Sequence, residues 1–298
     1  MKGTLSTVKI SKKNMGVLLI ILSAVCFTGM NACVRLSGDL PSIQKSFFRN
    51  AVAAVFAAVM LVRSRTPLKI QKGCGIAMLM RAVCGTVGVF CNFYAVDHLA
   101  LADASMLNKL SPFFAVVFSI IILKEKASPA QVAAVILAFC GSLFIIRPTF
   151  SNMELVPSLI GFAGGMGAGA AYTFVRYMKQ RGEKSALIVF CFSVFSCTAA
   201  LPIMLADFAP MSAKQLGILI LTGLFAAGGQ FAITGAYSYA PAKEVSVFDY
   251  SQVIFSAVAG YFIFGQTPVP LSVIGYVIII GSAVWTFIQN NKRENANA

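Results

Sequence analysis

One histidine, His98, is all the imidazole in this 298-residue chain. Zinc-protease chemistry of the HExxH kind needs more than that, and a Ser/His hydrolase would have to recruit His98 from the edge of an apolar run. Eight cysteines are present (Cys26, Cys33, Cys74, Cys84, Cys91, Cys140, Cys191, Cys197), yet none forms a CxxC pair. Neither a zinc site nor a disulfide framework is indicated, and small apolar fillers is the natural reading of these thiols. Charge is also scarce. Only 11% of residues are charged, against about 25% in soluble proteins.

What fills the space is apolar. The chain is 58% hydrophobic with a mean hydropathy of +0.82, which corresponds to lipid-facing surface. A net charge of +14 could suggest nucleic acid, but the basic residues form short clusters between apolar segments. That distribution orients a membrane protein and predicts no nucleic-acid partner; the lipid bilayer is the expected one.

About 20 residues cross the hydrocarbon as a helix. Ten segments meet that requirement: 15–36, 43–62, 74–97, 101–123, 128–147, 156–178, 185–206, 213–240, 245–264 and 268–289. The first is too long for a signal-peptide core and is retained as a span. The runs lack the ten-residue alternation of barrel strands. Ten crossings put both termini on one side. With the N-terminus inside, 16 of the 24 basic residues are cytoplasmic, so both termini are expected there. The basic clusters at 63–72 and 179–184 would be cytoplasmic and the loops near 38–41 and 207–212 external.

The halves echo each other at an offset of 141 residues. Asp103-Ala104-Ser105 answers Glu244-Val245-Ser246, Ala95 answers Ala236, Gly88 answers Gly229, Val34-Arg35 answers Val175-Arg176, and Glu125 answers Gln266. This predicts two repeats, 1–147 and 148–298. Five spans is an odd number, so the second copy runs inverted. Inverted repeats offer a site at their interface that opens alternately to either side.

Several stretches resemble the EamA branch of the drug/metabolite transporter superfamily. They are Phe47-Phe48-Arg49, Arg81 through Gly88, Asn92-Phe93-Tyr94-Ala95, and Leu101 through Ser105 continuing to Leu110-Ser111-Pro112 and Leu123-Lys124-Glu125. The second repeat is a looser copy, with Ala240-Pro241-Ala242 and then Phe264-Gly265-Gln266, where this family often has Glu at the last position. The resemblance implies an all-α integral membrane protein of ten helices in two inverted five-helix repeats. It also implies a central cavity lined mainly by spans 1, 3, 4, 6, 8 and 9, and alternating access without ATP or a bound cofactor.

Ionisable residues inside spans are costly and are functional candidates by default. Arg49, Arg81, Lys109 and Asp249 qualify. At 1.5 Å per residue, Arg49 and Lys109 lie roughly 9 and 12 Å below the outer ends of their spans, and Arg81 and Asp249 roughly 10 and 6 Å from the inner ends. Depth therefore predicts an Arg81–Asp249 ion pair, or else Asp249 as a proton carrier. Arg49 and Lys109 are left without an acid, either snorkelling to lipid phosphates or matched by an anionic ligand. Ser105, Asn108, Lys109 and Pro112 recur at helical spacing on one face of the fourth span. The offset carries that stripe onto Ser246, Asp249, Tyr250 and Val253. Asn31, Asn92 and Gln230 could bond substrate or neighbouring helices, and Tyr172, the mate of Asn31, is equally open. Gly161, Gly165 and Gly169 predict close helix packing, and Pro112 a kink that frees a carbonyl.

These features predict a secondary-active transporter of a small organic metabolite, anionic or zwitterionic, driven by a proton or a counter-substrate. The alternative is export of amphipathic cations with Asp249 as counter-ion. An intramembrane enzyme and a purely structural membrane protein are the more distant readings. Multi-pass residence in the plasma membrane, in a bacterium the cytoplasmic membrane, follows from the spans.

Overall fold

The computed structural model describes residues 12–65, 67–124, 128–147, 154–239 and 246–297. Several positions from the sequence reading lie outside these: Glu125 and Lys126, the segment 240–245 with Lys243 and Glu244, and the N-terminal Lys2 and Lys9. The helices are α1 (Lys12–Leu36), α2 (Ser42–Arg63), α3 (Gly75–His98), α4 (Leu101–Asn108), α5 (Ser111–Ile122), α6 (Pro129–Ile146), α7 (Leu155–Gln180), α8 (Ser185–Ala206) and α9 (Ala213–Tyr239). A 3₁₀ turn (Ser246–Tyr250), α10 (Ser251–Phe264) and α11 (Pro270–Asn297) follow. No strand occurs among the described residues. Among the described residues nine spans, α4 with α5 counting as one, are long and apolar enough to cross a membrane, and Phe248–Phe264 is a shorter apolar helix. The protein is a multi-pass membrane protein.

Short-range chemistry sets the ends. Ser128 caps α6 in a reciprocal box with Gln131: the Ser128 hydroxyl accepts from the Gln131 amide at 3.3 Å, and the Gln131 side chain accepts from the Ser128 amide at 2.8 Å. Gly265 ends α10 at φ 66°, a left-handed conformation that costs glycine least. Ile76 and Phe262 are 80% and 79% exposed. Water would disfavour such exposure, whereas hydrocarbon does not.

Packing follows the echo. α1 packs on α9, α3 on α7, α2 on α8, and α6 on α11. Moving every span forward by five, and wrapping around, returns the same set of pairs. The α1–α9 contact becomes the α7–α3 contact, and the others map onto themselves. The glycine stripe packs as its spacing predicts. A Cβ on Gly165 would come within 2.4 Å of the Leu107 carbonyl oxygen, and one on Gly169 within 2.7 Å of the Ser111 oxygen. These two positions let α7 lie against α4 and α5. All eight cysteines are free thiols, but only Cys33 and Cys74 are buried, and Cys140 is exposed. The reading of these thiols as small buried hydrophobes therefore holds fully for Cys33 and Cys74, while Cys26, Cys84, Cys91, Cys191 and Cys197 are half-buried.

Candidate functional site

The fourth span is broken. Pro112 has no N–H, so the ladder slips to Leu110, whose carbonyl accepts from both Phe113 (3.0 Å) and Phe114 (3.1 Å). The missing N–H deprives the Asn108 carbonyl of its helical donor, and the Phe113 amide, drawn to Leu110, leaves the Lys109 carbonyl without its own. The Lys109 carbonyl accepts from the Tyr250 hydroxyl at 3.2 Å and does not face open space. Across the bundle, the ninth span changes from 3₁₀ to α geometry at Tyr250–Ser251. Tyr250 is the 141-residue mate of Lys109, so a residue touches its own mate here. Such contacts occur only near the axis relating two copies.

Around this axis lies a cavity of about 940 Å³. Of the ten candidate residues, eight line it: Asn31, Arg49, Arg81, Asn92, Asn108, Lys109, Gln230 and Asp249. Ser105 and Tyr250 do not, and their expected place in the wall is corrected. Ser105 is fully buried, accepting from Asn31 Nδ2 at 3.3 Å and sharing a 2.8 Å bond with the Ser256 hydroxyl. It ties α1, α4 and α10 together. The rest of the stripe, Asn108, Lys109 and Pro112, lines the cavity on both sides of the break; Ser105 is withheld from it because Asn31 and Ser256 cover its hydroxyl.

The charge pairing also departs from expectation. Asp249 Oδ2 accepts from Lys109 Nζ at 2.5 Å, not from Arg81. Depth alone had grouped Arg81 with Asp249. The break beside Lys109 and the 3₁₀ turn at Asp249 bring those two side chains together across the axis. Arg81 instead lies over the ring of Phe192, 4.2 Å from its centroid, and Arg49 approaches the same ring at 5.9 Å. Arg49 donates to Asn50 Oδ1 at 2.5 Å. Among the described residues neither arginine meets a carboxylate, and the Nε of each is buried without a partner. Tyr172 lies within electrostatic reach of Arg49, Arg81 and Asp249 and is 47% exposed along the cavity wall.

Beyond the candidate Arg49, two walls were not anticipated. α2 contributes Arg49, Ala53 and Met60, and α8 contributes Phe192 and Ser193. The signal available in the sequence was Ser193 and Ser196, one turn apart on an otherwise apolar span. Both are fully buried, and Ser196 accepts from Asn50 Nδ2 at 2.8 Å.

The cavity is asymmetric along the spans. Its lining reaches Met60, Arg176 and Ser185, near the turns at 64–74 and 181–184. Those turns touch each other, since Glu183 accepts from the Gln71 amide at 2.9 Å. The opposite face is latched. Lys45, 1% exposed, pairs with Asp97 at 2.6 Å, and Ser42 donates to the same carboxylate at 2.6 Å. Gln44 exchanges two hydrogen bonds with Ala209, at 2.9 and 3.0 Å, and Arg35 donates to the carbonyls of Val96 and Leu99. A second hollow of about 640 Å³ lies above this latch, lined by Arg35, Asp97, His98 and Asp207 among others. Among the described residues no three His, Cys, Asp or Glu side chains gather to hold a metal.

A broken-helix bundle around a cavity with charged side chains set among apolar ones, latched on one face, is the architecture of a membrane transporter. The EamA-like transporter family matches the chain twice, over residues 14–147 and 156–288, and the chain belongs to that family. It is 31% identical over 272 residues to the pseudopaline exporter of Pseudomonas aeruginosa, spanning 90% of this chain and 94% of that one. It is 26% identical to a riboflavin transporter of Brucella anthropi, over 91% and 98% of the two chains. Human solute carrier family 35 member G1 is 27% identical over 92% of this chain and 79% of its own. A solved crystal structure shares the fold with a TM-score of 0.63 at 15% identity, covering 94% of this chain and 99% of the other.

Proposed function

We propose that this protein is a secondary-active transporter that moves a small organic metabolite carrying an anionic group across the plasma membrane. The observation that carries the reading is the pair of cavity arginines, Arg49 and Arg81, with no acid among the described residues to match them. An unmatched cation away from water is costly, and an anionic solute supplies the match. Relatives named for pseudopaline export and riboflavin transport support a small organic solute. Asp249 retains one oxygen, Oδ1, without a partner. A donor on a zwitterionic solute has a place there.

The two halves act as inverted repeats that expose the cavity to each side in turn, with both termini cytoplasmic. The span pairing that maps onto itself and the contact between Lys109 and its mate Tyr250 support a two-fold relation. A proton or a counter-substrate drives the cycle. Export of cations with Asp249 as counter-ion is less well supported, because Lys109 already holds that carboxylate and a cation would have to displace it.

Counterflow into proteoliposomes tests the reading with a panel of radiolabelled anions, zwitterions and cations. Anions or zwitterions should exchange, and Arg49→Gln should weaken that exchange more than it weakens folding. Exchange confined to cations, or unchanged affinity for the native solute in both Arg49→Gln and Arg81→Gln, would refute it.

A further inference from the structure

The arginine pair is built more elaborately than a single negative charge requires. Asn50 is fully buried and anchored by Ser196 and by the Ser46 carbonyl, at 2.8 and 3.0 Å. Its remaining oxygen holds Arg49. Arg81 is 8% exposed, and among the described residues it has no hydrogen-bond partner, its Nε being buried without one. It lies back across Gly85, where a Cβ would sit 2.0 Å from its Nη1 and 3.0 Å from the Phe192 ring. Gly85 is thus the clearance that seats the guanidinium against Phe192. A guanidinium that meets a ring with its face keeps its in-plane N–H groups for another partner. Ser193, beside Phe192 in the chain, is fully buried, lines the same cavity, and its hydroxyl has no partner. Two guanidinium groups with unused donors approach one aromatic ring, and the cavity they line also holds the unpartnered Ser193 hydroxyl. A monoanion would neutralise one arginine and leave the other unmatched.

We infer that Arg49 and Arg81, seated against Phe192, form with Ser193 of the same cavity wall a subsite for a doubly charged oxyanion terminus, a phosphate monoester or two neighbouring carboxylates. This rests on the transporter reading for its purpose but not for its test. Arg49 and Arg81 take one charge each through planar N–H pairs, while Asn50 and Gly85 are positioning residues. The subsite is distinct from the Lys109–Asp249 pair, which stays closed while the dianion is held. The polar uncharged remainder of the solute lies toward Asn92 and Gln230.

Binding to the purified full chain provides the test, in maltoside micelles that carry no phosphate of their own, at pH 8. The probes are inorganic phosphate, malonate, acetate and tetramethylammonium. Phosphate or malonate should bind at least about tenfold more tightly than acetate, the preference that a second charge contact confers. Preference for phosphate alone assigns a phosphate monoester, and for malonate alone a dicarboxylate. Arg81→Gln and Arg49→Gln should each bring the ratio to about one. Arg81→Lys, which keeps the charge and loses the fork, should retain part of it. Because Arg81 has no partner to strand, Arg81→Gln should not lower the melting temperature, which separates a lost ligand contact from a lost fold. The inference is overturned if acetate binds as tightly as both dianions, or if the glutamine variants keep the ratio. Dianion binding without counterflow would instead sink the transporter reading and leave the subsite standing.

Discussion

Lys109 and Asp249 hold each other where the two halves meet, and both side chains are nearly buried, 8% and 13% exposed. Removing one member of a buried pair strands the other, which typically costs about 3–5 kcal/mol. Asp249→Asn should therefore lower stability by about 3 kcal/mol, toward the small end of that range because the pair borders the cavity. Adding Lys109→Gln should recover most of it. Thermal unfolding of the two singles and the double forms the cycle. Additive losses would mean that the pair is not coupled. The four intramembrane charges themselves were legible as candidates, because each interrupts an apolar run. Their partners were not. Position along a span gives depth but not the direction in which a side chain leaves the helix, and a break beside Lys109 changes that direction. Ser105 was misplaced for another reason: it shares a face with Asn108, Lys109 and Pro112, which do line the cavity, but Asn31 and Ser256, from spans distant in sequence, cover it.

At the scale of the element, the broken fourth span depends on partners far away in sequence. Gln266 accepts from the Leu101 amide at 3.0 Å, satisfying an N–H that the start of α4 leaves open. Tyr250 receives the Lys109 carbonyl that the break frees, and Gly165 and Gly169 admit the α4 and α5 backbone onto α7. Pro112 announced the interruption in the sequence, and the small-residue spacing announced the close contact. Nothing local announced Tyr250 or Gln266, whose partners lie 141 and 165 residues away. Gly165→Ala should cost about 1–3 kcal/mol, as overpacking does, because the nearest atom is a backbone oxygen that cannot swing aside. Tyr250→Phe should cost about 1 kcal/mol, the net worth of one hydrogen bond. Melting temperatures in one detergent would order the two variants. A Gly165→Ala protein as stable as the parent would show that α7 can shift outward freely, and the tight seating of the break would then be unnecessary.

Over the whole molecule, spans pair in a pattern that survives exchange of the two halves, but the cavity does not share that symmetry. It runs toward the 64–74 and 181–184 turns and is shut off from the 38–41 and 207–212 turns by the Lys45–Asp97 latch and its neighbours. The ten spans and their echo were readable because hydrophobic length and a fixed offset survive in sequence. Which face is closed was not, since in the proposed cycle the same residues permit both states. In the proposed cycle the latch must open, and it is the barrier to exposure on that side. Replacing both partners together, Lys45→Met with Asp97→Asn, removes the pair without stranding a charge. A shift of about 1 kcal/mol toward the other state would change its population about fivefold. The readout is a single cysteine at Val89, which lines the cavity, on a background with the eight native cysteines replaced. A membrane-impermeant maleimide should reach it from the side of the 64–74 turn in the parent. In the double variant, labelling from the side of the 207–212 turn should rise about fivefold. Reporter fusions in those two turns should report opposite sides of the membrane, with 63–72 cytoplasmic. Reporters on one side would undo the inverted arrangement. Unchanged labelling with correct reporters would instead move the gate elsewhere, to Gln44 and Ala209 or to Arg35.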